Sequence, residues 1–205
     1  MNIKYKVEFF TDWHCGSGLA AGADVDALVV KDPQGVPYIP GKTVKGLIRE
    51  AAEDIIRFRS GKDKELDSVR HRFAIEAFGY FDGKSETEGE RPEMTRGTAY
   101  FTNALLPEHE QASIVDGSLQ PYLFRTISST AIDNNGIAVD HSLRRMEVTV
   151  PCTLEGEILN LPDDEDFRKI ITDAMRYVKR LGQNRNRGLG RCAFTVVETK
   201  NNKNS

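Results

Sequence analysis

Three arginines stand among glycines in the segment LGQNRNRGLGR, residues 181–191, near the end of the chain. No Asp or Glu occurs from Ala174 to Val197, so the charged residues of this stretch are all basic. Glycine lets a backbone approach a phosphate group closely, and a guanidinium group forms paired hydrogen bonds with phosphate oxygens. A tight turn with solvated arginines is the alternative, but it would need fewer glycines. The pattern therefore favours anion binding by a glycine-rich loop (182–191) through Gly182, Asn184, Arg185, Arg187, Gly188, Gly190 and Arg191.

Three carboxylates lie in or beside a glycine-containing loop near the start of the chain, namely Asp24, Asp26 and Asp32. Carboxylates on such a loop can bind Mg²⁺ or transfer a proton during catalysis. Ordinary loop solubility is the competing interpretation, and composition alone favours it. Nothing within the segment distinguishes Asp24 from Asp26.

The segment GVPYIPGKT, residues 35–43, resembles a phosphate-binding P-loop only superficially. Five residues separate its two glycines, whereas a Walker motif requires four, and its prolines lack amide donors. The spacing therefore argues against a nucleotide hydrolase. It predicts instead the start of a helix whose free amide groups, together with Lys42 and Lys45, hold one anion.

A turn-rich stretch between two extended runs predicts a β-hairpin at about residues 129–145. The sequence places Asn134–Gly136 at its tip and Arg144 and Arg145 at its base. Three apolar residues near the tip stand in a polar context, namely Ile132, Ile137 and Val139. Apolar side chains on a projecting hairpin can insert between stacked bases. A short solvated β-loop explains the same pattern equally well.

The elements that must position these residues alternate between strands and helices. Helical spacing predicts one helix from Lys42 to Gly61 and another over Asp166–Leu181. Extended or alternating runs predict strands at residues 3–9, 98–105, 122–128, 146–150, 155–159 and 191–199. The order strand, helix, strands, helix, strand indicates an α+β fold with a ferredoxin-like core.

The remaining segments interrupt this order. Residues 60–96 are acidic, polar and broken by glycine, which predicts an insertion that is partly helical over 69–78. Residues 111–120 are interpreted as an irregular connection, and the polar tail 201–205 as disordered. The predicted organisation is a single domain over residues 1–200.

The totals place limits on function. The 205-residue chain has a net charge of −3, so overall charge gives no indication of a nucleic-acid partner. Its three cysteines lie far apart, which indicates neither a disulfide framework nor a metal site. No apolar run reaches the length of a membrane span. We therefore expect a cytoplasmic protein with no membrane partner.

Four segments together resemble the RAMP superfamily of CRISPR-associated proteins, and most closely the repeated backbone subunit of type III effector complexes. They are GADVDALVVKDPQGVPYIPGKTVKGLIRE, RGTAYFTNALL, SSTAIDNNGIAVDHSLRRMEVTVPCTLEGEI and LGQNRNRGLGRCAF. The resemblance implies a ferredoxin-like, RRM-related core whose copies stack as a filament along a guide RNA. The implied partners are guide (CRISPR) RNA, target RNA, further copies of this chain and other effector subunits.

The same resemblance implies roles for individual residues. The segment IPGKTVKGLIR resembles a helix start that holds guide phosphates, here through Lys42, Thr43, Lys45 and Arg49. The glycine-rich loop resembles a family loop that follows the guide. The hairpin resembles the family's thumb, which displaces one nucleotide at regular intervals and here includes Ile132, Asp133, Ile137, Val139, Arg144 and Arg145.

In cleaving members of the family, a loop aspartate cuts target RNA with a divalent metal ion. The match of VDALVVKD to V-D-x-x-V-x-K-D places that residue, as catalytic group and metal ligand, at Asp26, and the implied metal is Mg²⁺. The alternative is a non-catalytic scaffold that binds the guide and leaves cleavage to another subunit. A nuclease that matures the guide is less consistent with the sequence, because His14, His71 and His141 are scattered.

Overall fold

The computed structural model describes residues 1–21, 24–60, 73–81 and 94–197. In chain order its elements are β1 (Ile3–Phe9), α1 (Gly41–Ser60), a short π-helix (Phe73–Phe78), β2 (Gly79–Phe81), β3 (Met94–Arg96), β4 (Tyr100–Phe101), α2 (Glu108–Asp116), a 3₁₀ turn (Gln120–Leu123), β5 (Phe124–Ser129), β6 (Arg144–Thr149), β7 (Thr153–Leu159), α3 (Glu165–Tyr177), a second 3₁₀ turn (Arg185–Arg187) and β8 (Cys192–Val197). The described part is thus a mixed α+β fold. It contains an antiparallel sheet in the order β4-β7-β1-β8, and the pairs β2–β3 and β5–β6 lie outside it.

Strand β1 is a central strand of this sheet, and its side chains alternate strictly between apolar and charged. Its apolar residues are buried and its charged residues face solvent, as the sequence predicts. On the solvent face, Lys4 and Lys6 form cross-strand ion pairs of 3.0 and 2.7 Å with Glu157 and Glu155 of β7. The open face of the sheet therefore carries paired opposite charges.

Helices α1 and α3 cover the other face of the sheet. Each buries an apolar stripe, formed in α1 by Val44, Ile48, Ala51, Ala52 and Ile56 and in α3 by Phe167, Ile170, Ile171, Ala174 and Met175. Asp164 stabilises the start of α3 by accepting a 2.8 Å hydrogen bond from the Asp166 amide. The predicted first helix is confirmed, and it begins at Gly41 rather than Lys42.

Helix α3 is shorter than predicted, because it ends at Tyr177 rather than Leu181. At Val178 the backbone becomes extended (φ −67°, ψ 119°), and Arg180 then pairs with Arg191. Val178 and Leu181 are buried in this extended segment, so their apolar character continued the helical spacing past the true end of the helix. The extended segment leads the chain into the glycine-rich loop.

Helix α2 occupies part of the stretch predicted as an irregular connection, so that prediction is wrong. None of its residues is buried, and it therefore has no apolar stripe from which a helix could be predicted. Glu108 and Glu110 in its first turn interact favourably with the helix dipole.

Most of the predicted insertion lies outside the described residues, as does the predicted tail 201–205. The described part of the predicted helix 69–78 is the π-helix. The predicted strand 98–105 is regular only over β4, because Ala104 and Leu105 instead form isolated bridges to other segments.

The three cysteines do not form disulfide bonds, and burial makes their thiols unreactive. The Cys15, Cys152 and Cys192 thiols are unpaired, and burial raises the pKa of Cys152 to about 11 and that of Cys192 to about 12. These thiols are packed groups rather than reactive thiolates.

Among the helices that the structure describes, none is both long and apolar enough to cross a bilayer.

Candidate nucleic-acid interface

The glycine-rich loop presents its arginines on a short exposed turn. Asn184 adopts the left-handed conformation (φ 53°), and a 2.7 Å hydrogen bond from the Arg187 amide to the Asn184 carbonyl closes the turn. The Arg180 guanidinium donates to the Arg185 carbonyl at 2.9 Å and supports the turn from its side. Arg185 and Arg187 are exposed, and neither forms an ion pair with a described residue, so both are available to an anion.

Close packing, rather than an external ligand, accounts for two of the loop's glycines. A Cβ atom at Gly190 (φ 67°) would lie 1.9 Å from the Leu181 carbonyl oxygen, and one at Gly182 (φ 99°) would lie 2.4 Å from the His14 carbonyl oxygen. Gly188 (φ 94°) differs, because no atom lies within 4 Å of its Cβ position. Of these three glycines, Gly188 gives a phosphate group the most open approach to the backbone.

Hydrogen bonds fix the glycine-rich loop to the segment that follows β1. The Gln183 amide donates to the His14 carbonyl at 2.9 Å, and the Gly190 amide donates to the Asp12 carbonyl at 2.7 Å. These bonds join a segment near the start of the chain to one near its end. The loop is therefore a fixed part of the fold, although its arginine side chains are exposed.

Arg191 is held separately from the other loop arginines. Its amide donates to the Thr11 hydroxyl at 3.0 Å, and its guanidinium carbon lies 5.8 Å from the centre of the Phe10 ring. This is cation–π geometry. Phe10 is itself half exposed, so Arg191 and Phe10 form a combined cationic and aromatic surface beside the loop.

The start of α1 has fewer free amide groups than the sequence predicts. The Gly41 amide donates to the Asn103 side chain at 2.9 Å, and two further amides of the first turn donate to the Pro40 carbonyl. Among the described residues of this turn, Lys42 alone keeps an amide without a partner. The predicted anion site at this helix start is therefore reduced to one amide and the exposed Lys42 side chain.

Helix α1 and the glycine-rich loop face each other across a groove of about 370 Å³. Thr43 and Leu47 line it from the helix, and Gly182, Gln183 and Arg185 line it from the loop. The structure therefore brings together two segments that lie far apart in the sequence and that were both predicted to bind the guide.

A second groove, of about 570 Å³, adjoins the first through shared lining at Arg185. Lys179 and Arg180 line it on one side, and Glu50 and Asp54 of α1 line it on the other. Its two walls carry opposite charges. The basic wall on the loop side of this groove attracts phosphate groups, and the acidic wall on the α1 side repels them.

The predicted guide contacts on α1 do not share one surface. Lys45 and Arg49 line a third groove on the opposite side of α1 from Thr43, next to β2 and β3. Arg49 forms a 2.9 Å ion pair with Glu53, and burial together with the nearby Arg49 charge lowers the pKa of Lys45. A ligand in the groove beside the glycine-rich loop would contact Thr43 but not these two cations.

Asp26 lies at the base of the hairpin formed by β5 and β6. Its carboxylate oxygen Oδ2 accepts a 2.7 Å hydrogen bond from the Arg145 amide, and its own amide donates to the Arg145 carbonyl at 2.8 Å. Its other oxygen, Oδ1, has no hydrogen bond within the described residues, and the residue is exposed. One oxygen thus orients the carboxylate while the other is available.

Glu147 of β6 holds the segment that carries Asp26. Its carboxylate accepts hydrogen bonds from the Val29 amide at 3.0 Å and from Lys31 Nζ at 2.8 Å. Its backbone carbonyl lies 2.6 Å from His14 Nδ1. His14 is fully buried, and its Nε2 has no partner in the described part of the chain. Glu147 therefore connects the aspartate segment, the hairpin and the segment that holds the glycine-rich loop.

The structure distinguishes the three loop aspartates, which the sequence does not. The Asp32 carboxylate accepts hydrogen bonds of 2.9 Å each from the Gln34 amide, the Val36 amide and the Gln111 side chain, so it stabilises a turn. Asp24 is exposed, and no side-chain hydrogen bond ties it to the hairpin. Asp26 alone of the three combines a fixed orientation with a free oxygen.

The residues around Asp26 limit how a metal ion could be held. No group of three or more His, Cys, Asp or Glu residues with metal-binding geometry occurs in the described ranges. Mg²⁺ in proteins often has one or two carboxylate ligands and completes its octahedron with water and substrate phosphates. Asp26 fits that pattern only as a single carboxylate ligand, so the other ligands would have to come from outside the described residues.

The hairpin tip, residues 130–143, is stabilised from within. Asp133 Oδ1 accepts 2.9 Å hydrogen bonds from the Asn135 and Ile137 amides, and these backbone donors lower the pKa of Asp133. The predicted turn is confirmed, with Gly136 at φ 80°. The apolar side chains of the tip are largely exposed, namely Ile132 (65%), Ile137 (64%) and Val139 (45%).

The base of the hairpin is basic. Arg144 and Arg145 are exposed in β6, and Arg125 of β5 forms a 3.1 Å ion pair with Asp12. The Asn184 side chain lies 3.8 Å from the Met146 sulfur, so the glycine-rich loop contacts this base. The loop, the hairpin and Asp26 therefore form one continuous surface.

Comparison with known families agrees with this arrangement. A sequence model of the RAMP superfamily matches residues 6–193. The chain belongs to the RAMP superfamily. A comparison with curated proteins gave no match.

Two solved structures show the same fold as this RAMP chain. One is the type III-B Cmr-beta complex bound to cognate target RNA, where the matched chain has a TM-score of 0.60, 11% identity, and 96% of this chain and 97% of that chain covered. The other is Cmr-beta in its apo state, with a TM-score of 0.62, 12% identity, and coverage of 97% and 98%. At this level of identity the likeness extends to the fold.

Sequence reasoning missed two residues that organise this RAMP surface. Glu147 stands between apolar residues in β6 and is only 14% exposed, and the one sequence signal was an acid in an otherwise half-buried strand. The sequence showed His14 only as one of three scattered histidines, whereas the structure buries it fully against Glu147, a contact that spans 133 residues. Contacts of this range become visible only when strands are paired.

Proposed function

We propose that this chain is an RNA-binding backbone subunit of a cytoplasmic type III CRISPR effector complex, in which copies stack along a guide RNA and cleave target RNA at Asp26. The observation that carries the proposal is the position of Asp26, oriented by Arg145 at the base of a projecting hairpin. Membership of the RAMP superfamily supports it. So does the similarity to chains of Cmr-beta, a complex solved with cognate target RNA.

We infer that the core is ferredoxin-like and RRM-related. The strands and helices β1, α1, β4, β7, α3 and β8 follow one another as strand, helix, strand, strand, helix, strand, with sheet order β4-β7-β1-β8. An RRM binds RNA bases on aromatic side chains of its open sheet face. Here that face carries the ion pairs of Lys4 and Lys6 with β7, so RNA binding falls to the loops instead.

The guide RNA would lie along the loop side of the groove between α1 and the glycine-rich loop. Arg185 lines that groove, and the exposed Arg187 and Gly188 follow it in the same loop. Such contacts read phosphates rather than bases. A subunit that must accept any guide sequence needs recognition of this kind.

The hairpin would separate bases of the guide–target duplex. Ile132 and Ile137 are about two-thirds exposed, and exposed apolar side chains gain free energy when they enter a base stack. A displaced nucleotide would then lie near Asp26 at the hairpin base. This arrangement gives the chain one cleavage position per subunit.

The chemistry at Asp26 follows from displacing that nucleotide. Its 2′-hydroxyl oxygen can attack the adjacent phosphorus in line, forming a 2′,3′-cyclic phosphate while the bond to the 5′ oxygen breaks. The hydroxyl proton is lost, and the leaving 5′ oxygen gains a proton from water. Asp26 would act through its free Oδ1, either on that hydroxyl proton or as a ligand. A bound Mg²⁺ would stabilise the charge that develops on the phosphate oxygens.

A second candidate function is a guide-binding scaffold without catalysis. Its specific support is that Asp26 belongs to no group of three or more His, Cys, Asp or Glu residues that could hold a metal ion in the described ranges. The scaffold keeps the glycine-rich loop and the hairpin but assigns cutting to another subunit.

Cleavage of end-labelled complementary RNA by the assembled, guide-loaded complex distinguishes the two candidates. Asp26→Asn keeps an oxygen that can accept from the Arg145 amide, so the loop geometry is retained while the carboxylate charge is lost. We expect regularly spaced products from the wild type with Mg²⁺, none from Asp26→Asn, and equal target binding by both. Asp24→Asn is the matched control and should cut normally.

Equal cutting by the wild type and Asp26→Asn would remove Asp26 from the mechanism. Tight target binding by both, with no cutting by either, would identify the scaffold. Chelation of Mg²⁺ by EDTA should abolish cutting while leaving guide binding intact.

A further inference from the structure

The groove on the far side of α1 from the glycine-rich loop, of about 530 Å³, is basic. Lys45 and Arg49 line it from α1, and Arg96 lines it from the end of β3. No acidic residue is among its described lining residues. Lys45 and Arg96 form no ion pair with any residue that the structure describes.

Lys45 and Arg49 lie close enough for their charges to repel one another. Burial and the neighbouring Arg49 charge both lower the pKa of Lys45. Arg49 forms a partly exposed ion pair of 2.9 Å with Glu53 of the same helix, and solvent weakens such pairs. An anion placed between these groups would relieve the repulsion.

An aromatic ring completes the groove. Tyr100 of β4 lines it and is 61% exposed. Most of the Tyr100 surface is therefore open to solvent. Beside several cations it forms the combination that binds single-stranded nucleic acid, in which cations contact the phosphates and a base stacks on the ring.

We propose that this groove is a second RNA-binding surface, which holds a single-stranded segment through Lys45, Arg49 and Arg96 and stacks a base on Tyr100. The proposal rests on the RNA-binding function proposed above and adds a surface separate from the glycine-rich loop. An acidic peptide would also be attracted by the cations. It would have no planar base for Tyr100, and the exposed ring therefore favours RNA.

Contacts of this kind make the surface independent of base sequence. Phosphates carry no base identity, and all four bases present a face that can stack on a tyrosine ring. The groove therefore suits an RNA that varies from one complex to the next. Because Lys45 and Thr43 point to opposite sides of α1, one RNA strand would have to cross the helix to reach both grooves, or two segments would occupy them.

Fluorescence anisotropy with a labelled single-stranded RNA of mixed sequence tests the proposal on the full-length chain. Arg96→Ala and Tyr100→Ala should each weaken binding by about tenfold, and Arg96→Ala should reduce the slope of log K against log salt concentration by about 0.7. Tyr100→Phe should bind like the wild type, because it keeps the stacking face. Lys169→Ala, an exposed charge on α3 outside all three grooves, is the matched control and should also bind normally.

Including Arg187→Ala from the glycine-rich loop separates failure of this groove from failure of the proposed function. If the wild type binds RNA and Arg187→Ala weakens it while the Arg96 and Tyr100 variants do not, the groove proposal is overturned and the loop is kept. If the wild type binds no RNA, both proposals are wrong. Weaker binding by Tyr100→Ala together with equal weakening by Tyr100→Phe would refute stacking. A poly-glutamate peptide can be added as a competitor of RNA. If it displaces RNA from Arg187→Ala, in which the groove is intact, but not from Arg96→Ala, the result would support the groove as the anion site.

Discussion

The glycine-rich loop and the hairpin tip are both exposed, but they are held in different ways. Gln183 and Gly190 of the loop donate backbone hydrogen bonds to the segment after β1, whereas the tip is held by bonds within itself, centred on Asp133. The loop is thus built into the fold and the tip projects from it. Substitutions in the loop backbone should therefore affect folding, and substitutions at the tip should affect only what the tip touches.

The largest effect is expected at Gly190. Its Cβ position lies 1.9 Å from the Leu181 carbonyl oxygen, so Gly190→Ala should destabilise the chain by about 3 kcal/mol, measured by urea unfolding. Gly136→Ala at the hairpin tip is the matched control, since it shares a positive φ (80°) but faces open space, and should cost about 1 kcal/mol. Equal losses would contradict the contrast between an anchored loop and a free tip.

The loop arginines should change binding rather than stability. Replacing Arg185, Arg187 and Arg191 by Ala should weaken RNA binding about 30-fold, roughly 2 kcal/mol, and lower the salt slope by about 2. The unfolding midpoint should remain near that of the wild type, because the loop is held mainly through its backbone. An unchanged salt slope would show that the loop does not contact phosphates.

The base of the hairpin should be intermediate between loop and tip. Glu147→Gln removes the ion pair with Lys31 at a site that is only 14% exposed, and should cost about 1–2 kcal/mol of unfolding free energy. Glu155→Gln, which loses an exposed pair with Lys6, should cost less than about 0.5 kcal/mol. If both variants lost the same small amount, Glu147 would not be the anchor of the Asp26 segment.

The smallest effect on stability is expected at the tip itself. The double variant Ile132→Ser and Ile137→Ser should change unfolding free energy by less than about 0.5 kcal/mol, since both side chains are exposed. It should nevertheless reduce base displacement, measured with 2-aminopurine in a guide–target duplex bound by the assembled complex. Full displacement by the double variant would show that these side chains are not the wedge.

The elements with strong periodicity could be predicted from the sequence. Strand β1 and helix α1 each bury one face and expose the other, so their apolar residues recur at the spacing typical of a strand or a helix. Helix α2 could not be predicted, because it buries no residue. The end of α3 was predicted too late because Val178 and Leu181, which follow the helix, are also buried. Their apolar side chains extend the helical pattern beyond Tyr177.

Composition predicted the glycine-rich loop and the hairpin, whereas the choice of Asp26 among the loop aspartates depended on a family motif. The motif singled out Asp26, but its physical distinction from Asp24 is a hydrogen bond to Arg145, 119 residues away in sequence. The separation of Lys45 and Arg49 from Thr43 on opposite sides of α1 places these two cations in a groove whose other residues, Arg96 and Tyr100, depend on where β3 and β4 lie. No local pattern contains that information.

The carboxylate of Asp26 is held by a main-chain amide, not by the side chain of Arg145. Any amino acid other than proline could therefore stand at position 145 without moving the carboxylate. The side chains of the hairpin can therefore be changed without altering the hydrogen bond that orients the Asp26 carboxylate.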